Sequence, residues 1–210
     1  MLESFKPRFN ALLCPVAKLF MKVGIHPNAL TLVGVILFAA ASASIYKGQW
    51  IGALGLLVAG SLMDGFDGLL ARQSGKTSLF GAILDSNCDR ITEIALLWGL
   101  FGFFLNNPLY GVLGVYLCFI VVSGSLMISY VKARCEGAGI GCSRGVLQRP
   151  ERLILIGIGL LCGPAVMVWI LGLMAVLSLL TVIQRLLVAY VSCKKLDRSK
   201  TQPLKKQVVI

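Results

Sequence analysis

Four aspartates, Asp64, Asp67, Asp85 and Asp89, stand between apolar runs in the stretch MDGFDGLLARQSGKTSLFGAILDSNCDR. Steps of three and four residues return side chains to one side of a helix, so Asp64, Asp67, Gly68 and Ala71 fall on one narrow face. Gly81, Asp85 and Asp89, each four apart, repeat the arrangement on a second helix. Turned together, the two faces make an oxygen-lined box with a small-residue slot beside it. The cluster contains no His, and Cys88 points away from the Asp85 and Asp89 face. The ligand set is therefore hard oxygen, suited to Mg²⁺, Mn²⁺ or Ca²⁺ rather than Zn²⁺. Two divalent ions balance four carboxylates, and paired divalent ions serve in-line displacement at phosphorus by clamping phosphate oxygens and activating the attacking group.

The elements that must position these acids are membrane spans. The chain has 210 residues, 57% of them hydrophobic and only 14% charged, with a mean hydropathy of +0.85. That composition belongs to an integral membrane protein one domain in length. A charged residue at mid-bilayer costs roughly 2.5–3.5 kcal/mol, so four of them need compensation. The formal charge of +11 raises nucleic acid as a partner. The basic residues, however, sit at span ends and in the tail, without the interleaved aromatics of a strand-binding groove. Membrane lipid and anionic substrates account for the charge, and nucleic acid is not expected. The seven Cys form no CxxC pair and read as small apolar residues in a reduced compartment. Lys18 and Lys22 interrupt the first apolar run, which argues against a cleavable signal peptide.

The pattern Asp64-x-x-Asp67-Gly68-x-x-Ala71-Arg72, eight residues, then Gly81-x-x-x-Asp85-x-x-x-Asp89 resembles the signature of the CDP-alcohol phosphotransferases, with every defined position filled. The hydrophobic pattern on both sides agrees, so the resemblance covers nearly the whole chain. It implies transfer of a phosphatidyl group from CDP-diacylglycerol, or an ether-lipid analogue, to an alcohol, with release of CMP. It implies two Mg²⁺ ions, Mn²⁺ being an alternative, held by Asp64, Asp67, Asp85 and Asp89, with Asp89 also the base for the acceptor hydroxyl. Around the CDP-lipid it implies Asn28 of the Pro-Asn-x-Leu-Thr stretch, Gly68 and Ala71 leaving backbone room, Arg72 as a fork for phosphate, and Ser78 with Gly81 completing the slot. Relatives often carry Thr at the Ser78 position, and the hydroxyl is retained. Residues 27–31 serve equally as a plain helix start, and His26, the single histidine, reads as an interfacial surface residue.

Along the chain, residues 1–27 are expected to include an amphipathic helix lying in the membrane interface, with apolar residues opposite the lysines over 2–24. Residues 28–192 form an all-α catalytic domain of six transmembrane helices, near 28–46, 50–72, 78–105, 107–133, 151–170 and 171–192, the boundary between the last two falling somewhere in 162–173. Residues 193–210 form a basic tail. Lys and Arg cluster before the first span, after the second, around the fourth-to-fifth loop and from Arg185 onward, against Lys47 alone on the other side. By the positive-inside tendency both termini and the acids face the cytoplasm of a multi-pass cell-membrane protein. Asp64 then lies about 12 Å below the Arg72 end of its helix.

The connection SYVKARCEGAGIGCSRGVLQRPERLIL is the second informative stretch. Ser129 and Lys132 end one span, Arg149 and Arg152 start the next around Pro150, and Arg185 adds a cation inside the last. Arg134 and Arg144 read as snorkelling residues. Lys132, Arg152 and Arg185 at one depth beside an acidic cation box would make a phosphate pocket. The pattern Ser-x-x-Lys-x-Arg-x-Glu, followed by Arg-x-Glu-Arg, resembles the phosphatidylinositol-phosphate synthases and archaetidylinositol-phosphate synthases within that family. The resemblance implies that Ser129, Lys132, Arg152 and Arg185 hold the acceptor's phosphate, most simply that of inositol phosphate. Arg90 and Glu93 are expected to pair with one another three residues apart on the third helix. The apolar outer face permits a homodimer. Alternatives are a glycerol 3-phosphate acceptor, an intramembrane prenyltransferase, which has more spans and lacks the Gly-x-x-Ala-Arg spacing, and a divalent-cation transporter lined by the acids.

Overall fold

The computed structural model describes residues 14–16, 19, 20, 24, 26–75, 77–142 and 145–201, with backbone alone over 196–201. Most of the expected interfacial helix over 2–24, together with Lys76 and Arg144, lies outside the described residues, as does the tail beyond Thr201. Among the described residues the fold is all-helical, without strands. The long helices are α1 (Pro27–Tyr46), α2 (Trp50–Gln73), α3 (Leu79–Leu105), α4 (Gly111–Gly137), α5 (Arg149–Cys162) and α6 (Pro164–Thr201). Four of them, α1, α2, α4 and the Pro164–Lys195 part of α6, are long and apolar enough to cross a membrane.

Local chemistry sets the ends. The α1 start is capped by His26, whose Nδ1 accepts the Asn28 N–H at 3.3 Å, with Pro27 in the first turn. The α3 start is capped by Ser78, whose Oγ accepts the Gly81 N–H at 2.9 Å. Asn107 makes the α3–α4 turn by accepting the N–H groups of Leu109 and Tyr110, each at 3.0 Å. The α5–α6 boundary is one residue, Gly163, at φ 92°, a conformation that only glycine adopts without strain. This places the division at the start of the 162–173 range expected for it. The apolar run carries no signal there beyond the Gly163-Pro164 pair. The fifth helix is therefore only 14 residues long.

Helix α1 packs on α2 and α3, α4 on α3 and α6, and α5 on α2 and α6. The core holds Phe38, Ile45, Leu97, Phe104, Ile156 and Met167, all at most 1% exposed. Leu147, from the α4–α5 loop, also reaches it. Outside, large apolar residues face outward, Trp98 at 73% and Trp169 at 79% exposure among them. A bundle apolar inside and out is built for lipid surroundings. The α1–α3 contact is close because of Gly99: a Cβ there would meet the Ser42 carbonyl oxygen at 2.5 Å. At the other end, Phe20 packs edge-on against Phe66, with ring centroids 5.5 Å apart, one residue from Asp67.

Candidate functional site

Helices α2 and α3 turn their acidic faces together. Asp64, Asp67 and Asp85 each bring an oxygen within 4.8 Å of the others. Asp67, only 5% exposed, is oriented by Thr31, whose hydroxyl donates to its Oδ2 at 2.5 Å. Three hard-oxygen donors converging from two rigid helices, one of them fixed by a neighbour's hydroxyl, fit a divalent cation. Asp89 lies one turn further along α3 and outside this triplet. Its Oδ1 stands 2.6 Å from Nη1 of Arg149, an ion contact without a directed hydrogen bond. The same Nη1 donates to Asp64 Oδ2 at 2.7 Å, and Arg149 Nη2 donates to Thr92 Oγ1 at 3.3 Å.

The residues expected around the nucleotide gather at the neighbouring helix ends. A Cβ on Gly81 would lie 3.0 Å from Ser78 Oγ and 3.6 Å from Asn28 Oδ1, so these three residues adjoin. A Cβ on Gly68 would lie 3.8 Å from Nη1 of Arg72, so the guanidinium folds back over the small face of α2. Ala71 is partly buried on the same helix.

Beside the acids opens a cavity of about 380 Å³, whose wall carries Asp85 and Asp89 together with Ser129, Lys132, Arg152 and Arg185. The four residues expected around an acceptor phosphate thus share one space, and it adjoins the acid cluster. Their states differ. Lys132 is partly exposed and 3.6 Å from Glu136. Arg185, 4% exposed, donates through Nη1 to the Ile128 carbonyl at 2.5 Å. Arg152, 3% exposed, is gripped bidentately by Glu93, from Nε at 2.5 Å and Nη2 at 2.8 Å, and donates through Nη1 to the Leu147 carbonyl at 3.1 Å. Ser125 completes the network by donating to Glu93 Oε1 at 2.6 Å.

This network corrects the expected Arg90–Glu93 pair. Glu93, buried at 4%, turns inward to the cations of α5, while Arg90 reaches its own helix at the Ser86 carbonyl and stands 3.9 Å from Asp89. A buried carboxylate needs a fully desolvated partner, which Arg152 supplies and a half-exposed neighbour three residues away does not. Spacing along one helix also left Thr31, Glu93 and Arg149 outside the expected site. Arg149 carried a signal, the Arg-x-Glu-Arg turn that it shares with Arg152. Thr31 closes the Pro-Asn-x-Leu-Thr stretch.

An all-helical bundle with an apolar exterior, and with an acid cluster fit for a divalent cation beside a cavity lined by Lys and Arg, defines a multi-pass membrane protein. Residues 24–184 match the model of the CDP-alcohol phosphatidyltransferase family, and the chain belongs to that family of enzymes. It is 36% identical to the archaetidylinositol phosphate synthase of Pyrococcus horikoshii over 198 residues, covering 94% of this chain and 99% of that one. It is 33% identical to the phosphatidylinositol phosphate synthase of Mycobacterium tuberculosis over 211 residues, 90% of this chain and 91% of that one. The crystal structure of the latter with CDP-DAG bound superposes with a TM-score of 0.79 at 31% identity, covering 85% of this chain and 93% of that one. Its complex with manganese and citrate gives 0.78, again at 31% identity, with 85% and 88% covered.

Proposed function

We propose that this chain moves a phosphatidyl group, or its ether-lipid analogue, from a CDP-linked lipid to the hydroxyl of a phosphorylated alcohol, inositol phosphate, releasing CMP. One observation carries the reading: Asp85 belongs both to the three-acid cluster and to the wall of the cavity where Lys132, Arg152 and Arg185 meet. A cation-mediated diphosphate site and a cationic phosphate site are thereby held side by side, which is what joining two phosphate-bearing substrates requires. Relatives named as synthases of phosphatidylinositol phosphate and archaetidylinositol phosphate support inositol phosphate as the acceptor.

Asp64, Asp67, Asp85 and Asp89 would hold two Mg²⁺ ions, with Mn²⁺ as a substitute. Bound there, divalent ions supply neutralisation of the diphosphate oxygens and a Lewis-acid pull on the phosphorus being transferred. The protein's own groups do the rest. Asn28, Ser78 and Gly81 bound the nucleotide slot, Gly68 and Ala71 keep it open, and Arg72 at the end of α2 adds a planar fork for phosphate oxygens. Asp89, on the cavity wall beside Asp85, accepts the acceptor hydroxyl's proton. Ser129, Lys132, Arg152 and Arg185 hold the acceptor's phosphate and aim its hydroxyl toward the acids.

In this reading all six helices of residues 28–192 cross the membrane. Helix α3 turns its acids inward, and α5, about 21 Å long, covers most of the hydrocarbon, with Leu147 closing the core above it. Residues 1–27 lie along the interface and 193–210 form a basic tail at the anionic surface, where α6 continues to Thr201. The Lys and Arg bias puts both termini and the active site on the cytoplasmic side. The exposed apolar face accommodates a second copy of the chain.

The test is CMP release by the purified protein with CDP-diacylglycerol and Mg²⁺, given inositol 3-phosphate or glycerol 3-phosphate in parallel. Faster release with the inositol ester supports the reading. Release with glycerol 3-phosphate alone assigns the acceptor to the shorter alcohol, and release with neither removes the reading.

A further inference from the structure

Arg149 stands where the two halves of the site meet, and its side chain is committed to both. Its backbone is fixed in the first turn of α5 beside Pro150. Nη1 lies 2.7 Å from Asp64 Oδ2 and 2.6 Å from Asp89 Oδ1, while Nη2 reaches Thr92 at 3.3 Å. Nε, although buried, has no acceptor among the described residues. The side chain also lines the cavity that contains Lys132 and Arg185. Arg152, three residues on, offers a contrast: Glu93 and the Leu147 carbonyl occupy its Nε, Nη1 and Nη2, so it is fixed in place.

Asp64 is therefore shared. One of its oxygens contacts Arg149, and the same carboxylate belongs to the cluster with Asp67 and Asp85. A divalent ion at that cluster draws on three carboxylates at once, whereas Arg149 contacts only Asp64 and Asp89. In a poorly screened interior the doubly charged ion wins Asp64. The guanidinium then loses at least its Asp64 partner, and it stays on the wall of the cavity that also carries Lys132 and Arg185.

We infer that Arg149 couples the two sites: a cation arriving at Asp64 releases its guanidinium to an anion in the cavity, so that each ligand tightens binding of the other. The inference rests on the cation site proposed above. Linkage requires the effect to be reciprocal. Arg149 is on this account a ligand for the acceptor's phosphate only after the acids are loaded, which favours cation before acceptor.

The experiment is Mn²⁺ binding to the full chain in detergent, read by the electron paramagnetic resonance of the free ion, with and without inorganic sulfate. Sulfate is a tetrahedral dianion that leaves Mn²⁺ in solution. For the unaltered protein, sulfate should tighten Mn²⁺ binding several-fold. Arg149→Gln should bind Mn²⁺ on the order of tenfold more tightly than the unaltered protein and respond no further to sulfate. Arg149→Met, similar in length and uncharged, provides the same comparison if the glutamine variant does not fold. Unchanged Mn²⁺ affinity in the folded variant, or a sulfate effect that survives the loss of Arg149, would overturn the inference while leaving the cation site in place. Failure of the unaltered protein to bind Mn²⁺ would overturn both.

Discussion

The hydroxyl of Thr31 donates a 2.5 Å hydrogen bond to Oδ2 of Asp67, tying the N-terminal part of α1 to the most deeply buried acid of α2. The bond orients the Asp67 carboxylate within its cluster with Asp64 and Asp85. Groups that orient a ligating carboxylate in this way typically matter by 10–100-fold in metal affinity. Thr31→Val, which keeps the shape and removes the donor, should weaken Mn²⁺ binding by roughly tenfold, and Thr31→Ser should restore most of it. Equal affinity in the valine and serine variants would show that Asp67 is placed by its helix alone.

Glu93 and Arg152 form the buried ion pair that joins α3 to α5, at 4% and 3% exposure. Removing one partner strands a charge in the interior, which costs about 3–5 kcal/mol. Glu93→Ala should lower the melting temperature of the detergent-solubilised protein well below that of Ser125→Ala, which loses one hydrogen bond to the same carboxylate. If the two melt alike, the pair is not what holds α5 against α3.

How far the sequence carries the reading depends on which force decides each feature. Asp64, Asp67 and Asp85 were legible because helical spacing alone gathers acids on one stripe of each helix, and the helix starts at Pro27 and Pro150 were legible because those residues act locally. The partner of Glu93 was not. Arg152 is 59 residues away, and only the packing of α5 against the bundle brings it within reach. Arg149 escaped for the same reason: its partner Asp64 is 85 residues distant. The α5–α6 boundary was obscured because apolar residues continue through Gly163, so hydropathy shows no break where the backbone makes one. Membrane surroundings blur helix ends in sequence, since both faces of each helix are apolar.

Close approach of α1 and α3 depends on Gly99, whose missing Cβ leaves space for the Ser42 carbonyl. Gly99→Ala must push backbone away from backbone and should cost about 1–3 kcal/mol. Gly52→Ala, where a Cβ meets nothing within 4 Å, should leave thermal stability nearly unchanged. Similar melting temperatures for the two would contradict the tight α1–α3 contact.

Lys132 is a partly exposed cation of the cavity proposed for the acceptor, its Nζ 3.6 Å from Glu136. Lys132→Gln removes a point charge from the phosphate pocket without disturbing the core. It should raise the KM for the phosphorylated alcohol by roughly tenfold, the loss of one exposed charge-assisted contact, while the KM for the CDP-linked lipid stays within twofold or so. A rise confined to the lipid substrate would move Lys132 to the nucleotide side.

The account's central claim is that Asp64, Asp67 and Asp85 act by gripping divalent ions and, through them, the CDP-linked lipid. Its most direct test is CMP release before and after chelation of every divalent ion, alongside Asp67→Asn. The account predicts that turnover stops on chelation, returns when Mg²⁺ or Mn²⁺ is added back, and does not return in Asp67→Asn. Full turnover in the chelated protein, or undiminished turnover in the asparagine variant, would contradict it.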